Sequence, residues 1–316
     1  MIQKRRVAVV GTGSVGVAAA YSLFLRRTAS ELLLVDKDVA KAEGHAMDLM
    51  HGQALVGHVQ VRSARLDELG DAQVVVVTAG KSQKRGETRL DLLRRNAEVI
   101  REVIADLDRH APEALIVIAT NPVDILTWLA QNSSSRSSGL VIGTGTTLDS
   151  ARFRMLVADA FGVSPRSVHG YVLGEHGDSQ VAVWSQTAIG GMRLDDGPIE
   201  GHLLDATARK QIADATRNAA REIIERKGHT DLAIGTVIGH LVEAALTDER
   251  AVQPLSVTLD GEYGLRDVCL SIPCVLGRDG VVARITPKLS DVELEALHAS
   301  ARVLRAAAED AGLSAT

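Results

Sequence analysis

Apolar residues fall into two rhythms along this chain. In the first half, short unbroken runs alternate with stretches of helical spacing. Val7-Ala8-Val9-Val10, Leu32-Leu33-Leu34-Val35, Val74-Val75-Val76-Val77, Leu115-Ile116-Val117-Ile118 and Leu140-Val141-Ile142 are continuous and apolar, which suits strands of a parallel sheet covered on both faces. Between them, Val17 to Leu25 reads as a helix. From Thr88 to Arg109, residues Leu92, Leu93, Val99, Ile100, Val103, Ile104 and Leu107 keep helical spacing. The predicted class is α/β, with a doubly wound parallel sheet over residues 1–145.

Past residue 145 the rhythm changes. A helix from Asp149 to Ala160 leads to β-prone runs at Val168 to Leu173 and Val181 to Trp184. Helices follow from Leu203 to Arg226 and from Leu232 to Leu246. Three more β-prone stretches lie near Val257, at Cys269 to Val275 and at Val281 to Ile285, before a last helix from Asp291 to Ala308. Strands and helices in separate blocks predict a mixed α+β second domain over 146–316. Gln131 to Ser138, rich in Ser and Asn, reads as a surface loop.

The first strand runs directly into Gly11-Thr12-Gly13-Ser14-Val15-Gly16, a G-x-G-x-x-G, and then into the first helix. Glycines there permit the tight turn, let backbone approach a pyrophosphate, and let helix and strand pack closely. The free N–H groups and positive end of the helix would receive the pyrophosphate. The second strand ends in Asp36, about 20 residues past the last glycine, where an acid accepts hydrogen bonds from a ribose. The same carboxylate repels a 2′-phosphate, which favours NAD over NADP. Strand, glycines, helix, second strand and acid arrive in the order a Rossmann dinucleotide site requires. In such sheets the ligand crevice lies beyond the carboxyl ends of the strands, where Gly11, Asp36, Ala79-Gly80 and Thr120-Asn121 fall.

Composition narrows the class further. The 316 residues suffice for two domains sharing an interface. A net charge of −5 and the lack of a long basic run argue against a nucleic-acid surface. Cys269 and Cys274 are too few for a disulfide framework or a cysteine-only metal cluster, so no metal is expected. Two reduced, buried thiols suit a cytosolic protein. Lys4-Arg5-Arg6 and the apolar positions after it resemble a signal peptide only until the glycines interrupt. No segment reaches the ~20 apolar residues of a membrane span. The expectation is a cytoplasmic protein without a membrane partner.

Two polar islands carry the candidate chemistry: Leu148-Asp149-Ser150-Ala151-Arg152 and Gly174-Glu175-His176-Gly177-Asp178. A histidine beside a carboxylate is the usual proton donor and acceptor near neutral pH, and the carboxylate fixes its tautomer. A nearby arginine offers a planar fork that matches a carboxylate. Asp149 and Arg152 lie three apart at a helix start, hence on one face, which also suits a plain intrahelical ion pair. Lys81 to Arg85 is a polar loop after a strand end. It reads as a lid that carries Arg89 to the crevice, or as a solvated loop with helix-capping residues. The Asn121 amide is placed to bond a substrate oxygen or to cap the helix that follows.

These segments, together with Gln83-Lys84-Arg85-Gly86-Glu87-Thr88-Arg89-Leu90, Thr120-Asn121-Pro122-Val123-Asp124 and Gly143-Thr144-Gly145-Thr146-Thr147-Leu148, resemble the L-lactate dehydrogenases of the lactate/malate dehydrogenase superfamily. They follow that family's order and span nearly the whole chain. The resemblance implies interconversion of (S)-lactate and pyruvate with NAD. It implies that His176 is the proton donor, Asp149 orients it, Arg152 holds the substrate carboxylate, and Arg89 closes over the substrate and polarises its carbonyl. Gln83, Asn121, Asp124 and Thr230 would line the substrate site. Gly11, Gly13, Val15, Gly16, Asp36, Lys41, Ala79, Gly80, Ala119, Thr120, Asn121 and Thr144 would contact the cofactor.

Within the superfamily, malate enzymes place an arginine where this chain has Gln83, to pair with a second carboxylate. Neutral Gln83 suits a methyl group, because an unpaired buried charge is costly. Arg85, where the family often has proline, would reach the same place only if the loop were shifted by two. The alternatives are a malate or other 2-hydroxy acid dehydrogenase and, in a different class, a non-catalytic dinucleotide-binding protein. Leu66, where many relatives have tyrosine, and Asp231-Leu232 after Thr230 depart from the family pattern. Arg154 and His169 match the positions at which bacterial relatives bind the phosphates of fructose 1,6-bisphosphate across a subunit interface. The resemblance thereby implies fructose 1,6-bisphosphate as an effector and a homotetramer; otherwise the two are solvated surface charges.

Overall fold

The computed structural model describes residues 5–81 and 88–313. The apolar runs of the first half form strands β1 (Arg6–Val10), β2 (Glu31–Val35), β3 (Gln60–Ser63), β4 (Val74–Val77), β5 (Leu115–Ile118) and β6 (Val141–Gly143). All six pair in parallel, in the order β6-β5-β4-β1-β2-β3. Helices cover both faces: α1 (Ser14–Arg26), α2 (Val39–His51), the single turn α3 (Gln53–Val56), α4 (Arg89–His110) and α5 (Val123–Ser133). The four valines of β4 are all buried, as two-sided cover demands.

The second half supplies α6 (Thr147–Phe161), the two-residue strands β7 (Val168–His169), β8 (Val172–Leu173), β9 (Val181–Ala182), β10 (Ala188–Ile189) and β11 (Met192–Arg193), then α7 (Ala206–Lys227) and α8 (Leu232–Leu246). Strands β12 (Ala251–Asp260), β13 (Arg266–Gly277) and β14 (Gly280–Arg284) precede α9 (Asp291–Asp310). The run read as one strand from Val168 to Leu173 is two. β7 joins the sheet of β10 and β11, β8 joins β9, and Gly170 lies between them, where an added Cβ would meet Phe153 at 2.9 Å.

The antiparallel ribbon β12–β13–β14 does not stand apart from the parallel sheet. β12 pairs with β6 through Ser256 and Gly143, so that among the described residues one sheet of nine strands crosses from the first half into the second. Helix α8 is laid against α1 at very close range. A Cβ on Gly235 would fall 2.6 Å from the Ala18 backbone, and one on Gly239 would fall 2.3 Å from Ser22 Oγ. Glycine four residues apart on one helix face permits that approach.

The segment Gln131 to Ser138 corrects a reading. It is not wholly loop, because α5 continues to Ser133. Gln131 spans two elements: its amide nitrogen donates to the Val141 carbonyl at 2.6 Å, and its oxygen accepts the Thr258 N–H at 3.0 Å. Arg136, with a side chain only 2% exposed, pairs with Asp108 and donates to the Leu107 carbonyl at 2.7 Å. The polar composition there serves buried fastening as well as solvent. Among the described residues no helix is long and apolar enough to cross a membrane.

Candidate active site

Five parallel strands end on one edge and bring the candidate cofactor residues together there. Gly11 follows β1, Asp36 follows β2, Ala79 and Gly80 follow β4, Ala119 to Asn121 follow β5, and Thr144 follows β6. Gly11 has a φ of +99°, and a Cβ on it would lie 2.6 Å from the Ala79 backbone nitrogen. A Cβ on Gly16 would lie 1.9 Å from the Gly11 carbonyl oxygen. Gly13 differs, since a Cβ there would meet nothing within 4 Å. Two glycines close the turn, and the third faces open space at the N-terminus of α1, which has no side-chain cap. An uncapped helix start beside an open backbone fits a pyrophosphate.

Asp36 is anchored from both sides. Oδ2 accepts the Thr12 N–H and hydroxyl, each at 2.7 Å, and Oδ1 accepts the Asp38 N–H at 3.1 Å. Burial works to raise its pKa, but those bonds and the Lys41 charge outweigh it and hold the carboxyl below its usual range. The group is therefore ionised, as discrimination against a 2′-phosphate requires. These residues fit NAD.

At the neighbouring strand ends, buried Asn96 on α4 is a fastening that the sequence reading did not assign. Its Oδ1 accepts the Lys81 N–H at 2.7 Å and its Nδ2 donates to the Asn121 carbonyl at 3.1 Å. An asparagine on the helix face that otherwise buries Leu93, Ala97 and Ile100 was the available signal. The Asn121 side-chain oxygen lies 3.3 Å from the Val123 N–H, at the start of α5. Thr120 Oγ1 donates to the Ala79 carbonyl at 2.8 Å, holding the β4 and β5 ends together.

The two polar islands meet at one carboxylate. Asp149, in the first turn of α6, accepts Arg152 Nη1 at 2.9 Å on Oδ1, while Oδ2 lies 2.6 Å from His176 Nδ1. The intrahelical ion pair and the functional arrangement thus coexist. Burial works to raise the pKa of Asp149, but His176 and Arg152 outweigh it and keep the carboxyl low. For His176, burial works to lower the pKa. The Asp149 charge and hydrogen bond, helped by Asp124, overcome that and raise it to about 9. With its side chain 25% exposed, the imidazole is reachable and charged at neutral pH.

The loop carrying His176 is held in part by serines that belong to no motif, Ser271 and Ser300. Gly174 exchanges backbone hydrogen bonds with Ser271 on β13, at 3.0 and 2.9 Å. The Glu175 N–H donates to Ser300 Oγ of α9 at 2.8 Å, and the Glu175 carboxylate accepts the Ser179 N–H at 3.1 Å. The His176 N–H donates to Asp124 Oδ2 at 2.7 Å. Asp124 is buried, and its other oxygen accepts the Ser256 hydroxyl, so both carboxylate oxygens are engaged within the protein.

Other candidates lie where the chain path sets them. Thr230 is half-buried just before α8. Arg89 opens α4, whose N-cap Thr88 forms a capping box with Asp91. Gln83 and Arg85 lie outside the described residues. Arg154 is half-buried with Nε 3.3 Å from the Ser150 carbonyl, and His169 is exposed on β7.

Comparison with known proteins places this arrangement. The family model for the lactate/malate dehydrogenase NAD binding domain matches residues 5–143. The model for the lactate/malate dehydrogenase alpha/beta C-terminal domain matches 146–312. An L-lactate dehydrogenase of Salinibacter ruber is 54% identical over 306 residues, 96% of this chain and 97% of that protein. One of Thermus aquaticus is 44% identical over 308 residues, covering 97% and 99%. The crystal structure of the minor L-lactate dehydrogenase from Enterococcus mundtii, in its ligands-bound form, superposes with a TM-score of 0.94 at 42% identity, covering 97% of this chain and 98% of that one.

Proposed function

This chain belongs to the lactate/malate dehydrogenase family and is an NAD-dependent oxidoreductase with L-lactate dehydrogenase activity, and on that premise we propose that His176 is the proton donor and acceptor of its reaction. The reaction is (S)-lactate + NAD⁺ ⇌ pyruvate + NADH + H⁺. The observation that carries the proposal is the single Asp149 carboxylate that engages His176 with one oxygen and Arg152 with the other.

NAD, when bound, supplies and removes the hydride at the substrate's second carbon. Gly11, Gly13 and Gly16 would receive its pyrophosphate and Asp36 its ribose, with Val15, Lys41, Ala79, Gly80, Ala119, Thr120, Asn121 and Thr144 around it. The protein's own chemistry is the proton. In pyruvate reduction, His176 enters as imidazolium and donates from Nε2 to the carbonyl oxygen while Nδ1 keeps its hydrogen bond to Asp149. In lactate oxidation the neutral ring takes the hydroxyl proton back. Arg152 holds the substrate carboxylate with donors that Asp149 does not take, Asn121 and Arg89 address the carbonyl oxygen, and Thr230 lines the pocket. Cofactor binding falls to residues 1–145 and substrate binding mainly to 146–316, with α6 starting just after the boundary.

Gln83 sets the choice of substrate, because a neutral amide suits the methyl of pyruvate and leaves a second carboxylate unpaired. Steady-state rates of NADH oxidation with pyruvate and oxaloacetate side by side test this. Pyruvate is preferred by wild type, and Gln83→Arg moves preference toward oxaloacetate. A wild type that prefers oxaloacetate, or a preference governed by Arg85→Ala instead, overturns the assignment.

Arg154 and His169 form the second part of the proposal. Arg154 lies two positions beyond Arg152, about 200° around the helix, so it faces away from the substrate. His169 is exposed on β7 and offers an imidazole to a ligand. We propose that these residues from two subunits of a homotetramer bind fructose 1,6-bisphosphate, which relieves their mutual repulsion and favours the substrate-competent assembly. A pyruvate titration shows a lower Michaelis constant with the bisphosphate, and Arg154→Gln abolishes the effect. Superimposable wild-type curves refute it.

A further inference from the structure

Asp124 is a buried acid whose two oxygens are both turned toward donors of the protein. One accepts the backbone N–H of His176 at 2.7 Å, and the other accepts the hydroxyl of Ser256 on β12. Ser256 Oγ lies 3.4 Å from Ser271 Oγ on β13, and Ser271 Oγ in turn accepts the Thr146 N–H at 2.9 Å, at the start of α6. Ser256 and Ser271 are fully buried. A chain of hydroxyls thus connects Asp124 to the helix that carries Asp149, beneath the His176 loop. The family resemblance puts Asp124 among the substrate contacts, yet no oxygen of it is left unengaged.

We propose that Asp124 is a positioning residue for the proton transfer: it acts through His176, whose main chain it fixes and whose charged ring it stabilises, and does not touch the substrate. This rests on His176 as the proton donor. Three observations carry it. The direct bond is to the N–H of the reacting residue itself, so Asp124 and Asp149 grip His176 at two points, backbone and ring. Two grips define where the ring lies, and a misplacement of about 1 Å at a reacting group costs on the order of 100-fold in rate.

The second observation is that burying a carboxylate here is costly. Burial outweighs Ser256 and His176 and pushes the Asp124 pKa up to about 6. An asparagine would offer one acceptor and one donor to the same partners without that cost. The third is that the retained charge works in the useful direction, helping Asp149 hold the imidazole protonated. The titratable groups facing Asp124 are His176 and Glu175 on the loop and Cys269 on β13.

Asp124→Asn and Asp124→Ala separate position from charge. The amide keeps an acceptor for the His176 N–H, and its NH₂ donates to a reoriented Ser256 hydroxyl. Its kcat for pyruvate reduction at pH 6 should stay within about five-fold of wild type, while the alkaline limb of the rate profile moves down by about one unit. Asp124→Ala loses both. Its kcat should fall about 100-fold with the NADH dissociation constant within about two-fold of wild type. A kcat for Asp124→Ala within two-fold of wild type, or an unmoved limb in Asp124→Asn, overturns the proposal. If the alanine variant does not fold, the limb of the asparagine variant alone decides. His176→Gln is run in parallel. If it stays active, the assignment of His176 falls and with it this one. If it is inactive while the Asp124 variants behave as wild type, only this inference falls.

Discussion

His176 Nδ1 lies 2.6 Å from Asp149 Oδ2, with the carboxylate buried and the ring partly open to the cleft. A carboxylate in that place fixes the tautomer, leaving Nε2 toward the cleft, and sustains the imidazolium. Asp149→Asn keeps the shape and removes the charge. Pyruvate reduction at pH 7.5 should fall at least ~100-fold, with a descending pH limb moved to lower pH, because the proton donor is then mostly neutral. NADH binding, measured by fluorescence titration, should be nearly unchanged. An equal loss of NADH binding would make Asp149 a structural residue.

The same pair makes stability depend on pH. The folded His176 pKa, about 9, lies above its ordinary value of 6.5, so the folded state binds the proton more tightly. The contribution is complete below about pH 6.5 and is lost as pH rises through 9, at no more than about 3–4 kcal/mol. Asp124, with its pKa about 6, finishes ionising at the bottom of that window, and Asp149 stays ionised throughout it. Cys269 and Cys274, whose thiols burial pushes up, add a loss of their own near the top of it. The difference between wild type and His176→Gln isolates the histidine. Urea unfolding at pH 6.5 and pH 9 should show a steeper decline for wild type, and parallel declines would contradict the assignment.

Much of this was legible in the sequence, for identifiable reasons. Buried parallel strands leave unbroken apolar runs, so β1, β2, β4, β5 and β6 were found nearly to the residue, as was α8 at Leu232–Leu246. β3 was missed because only Val61 of its four residues is buried. The joining of β12 to β6 was not foreseen, since composition in blocks says nothing about which edge a ribbon pairs with. The charged members of the site were visible through their motifs. Asn96, Ser256, Ser271 and Ser300 were not, because a lone serine or asparagine gains its meaning only from what folding puts opposite it.

The three glycines of the first turn should respond differently to one added methyl. Gly16→Ala would drive a Cβ to 1.9 Å from the Gly11 carbonyl, so the turn must shift and thermal stability should drop by several degrees. Gly13→Ala meets no protein atom within 4 Å at an ordinary φ of −72°, so stability should hold. NADH affinity should nevertheless fall at least ~10-fold, because the methyl occupies the space a pyrophosphate needs. Unchanged affinity in Gly13→Ala would remove the pyrophosphate from this turn.

Asn96→Leu replaces a bridge with a side chain of similar size. The Lys81 N–H and the Asn121 carbonyl lose their partner, and because both belong to exposed residues that water can reach, the loss should be about 1 kcal/mol. Urea unfolding should register that loss. The Michaelis constant for pyruvate should rise as well, since the bridge ties together the chain leaving β4 and the chain leaving β5 at the cleft. Loss of stability with unaltered kinetics would confine Asn96 to a structural role.

The central claim is that His176 moves the proton. The most direct measurement is kcat for pyruvate reduction by His176→Gln and wild type from pH 6 to 10, alongside NADH affinity. Wild type should decline as pH rises through about 9, while His176→Gln should be at least ~100-fold slower, lack that limb, and bind NADH normally. A variant that keeps its rate within a few-fold, or a wild-type profile that survives the substitution, would contradict the account.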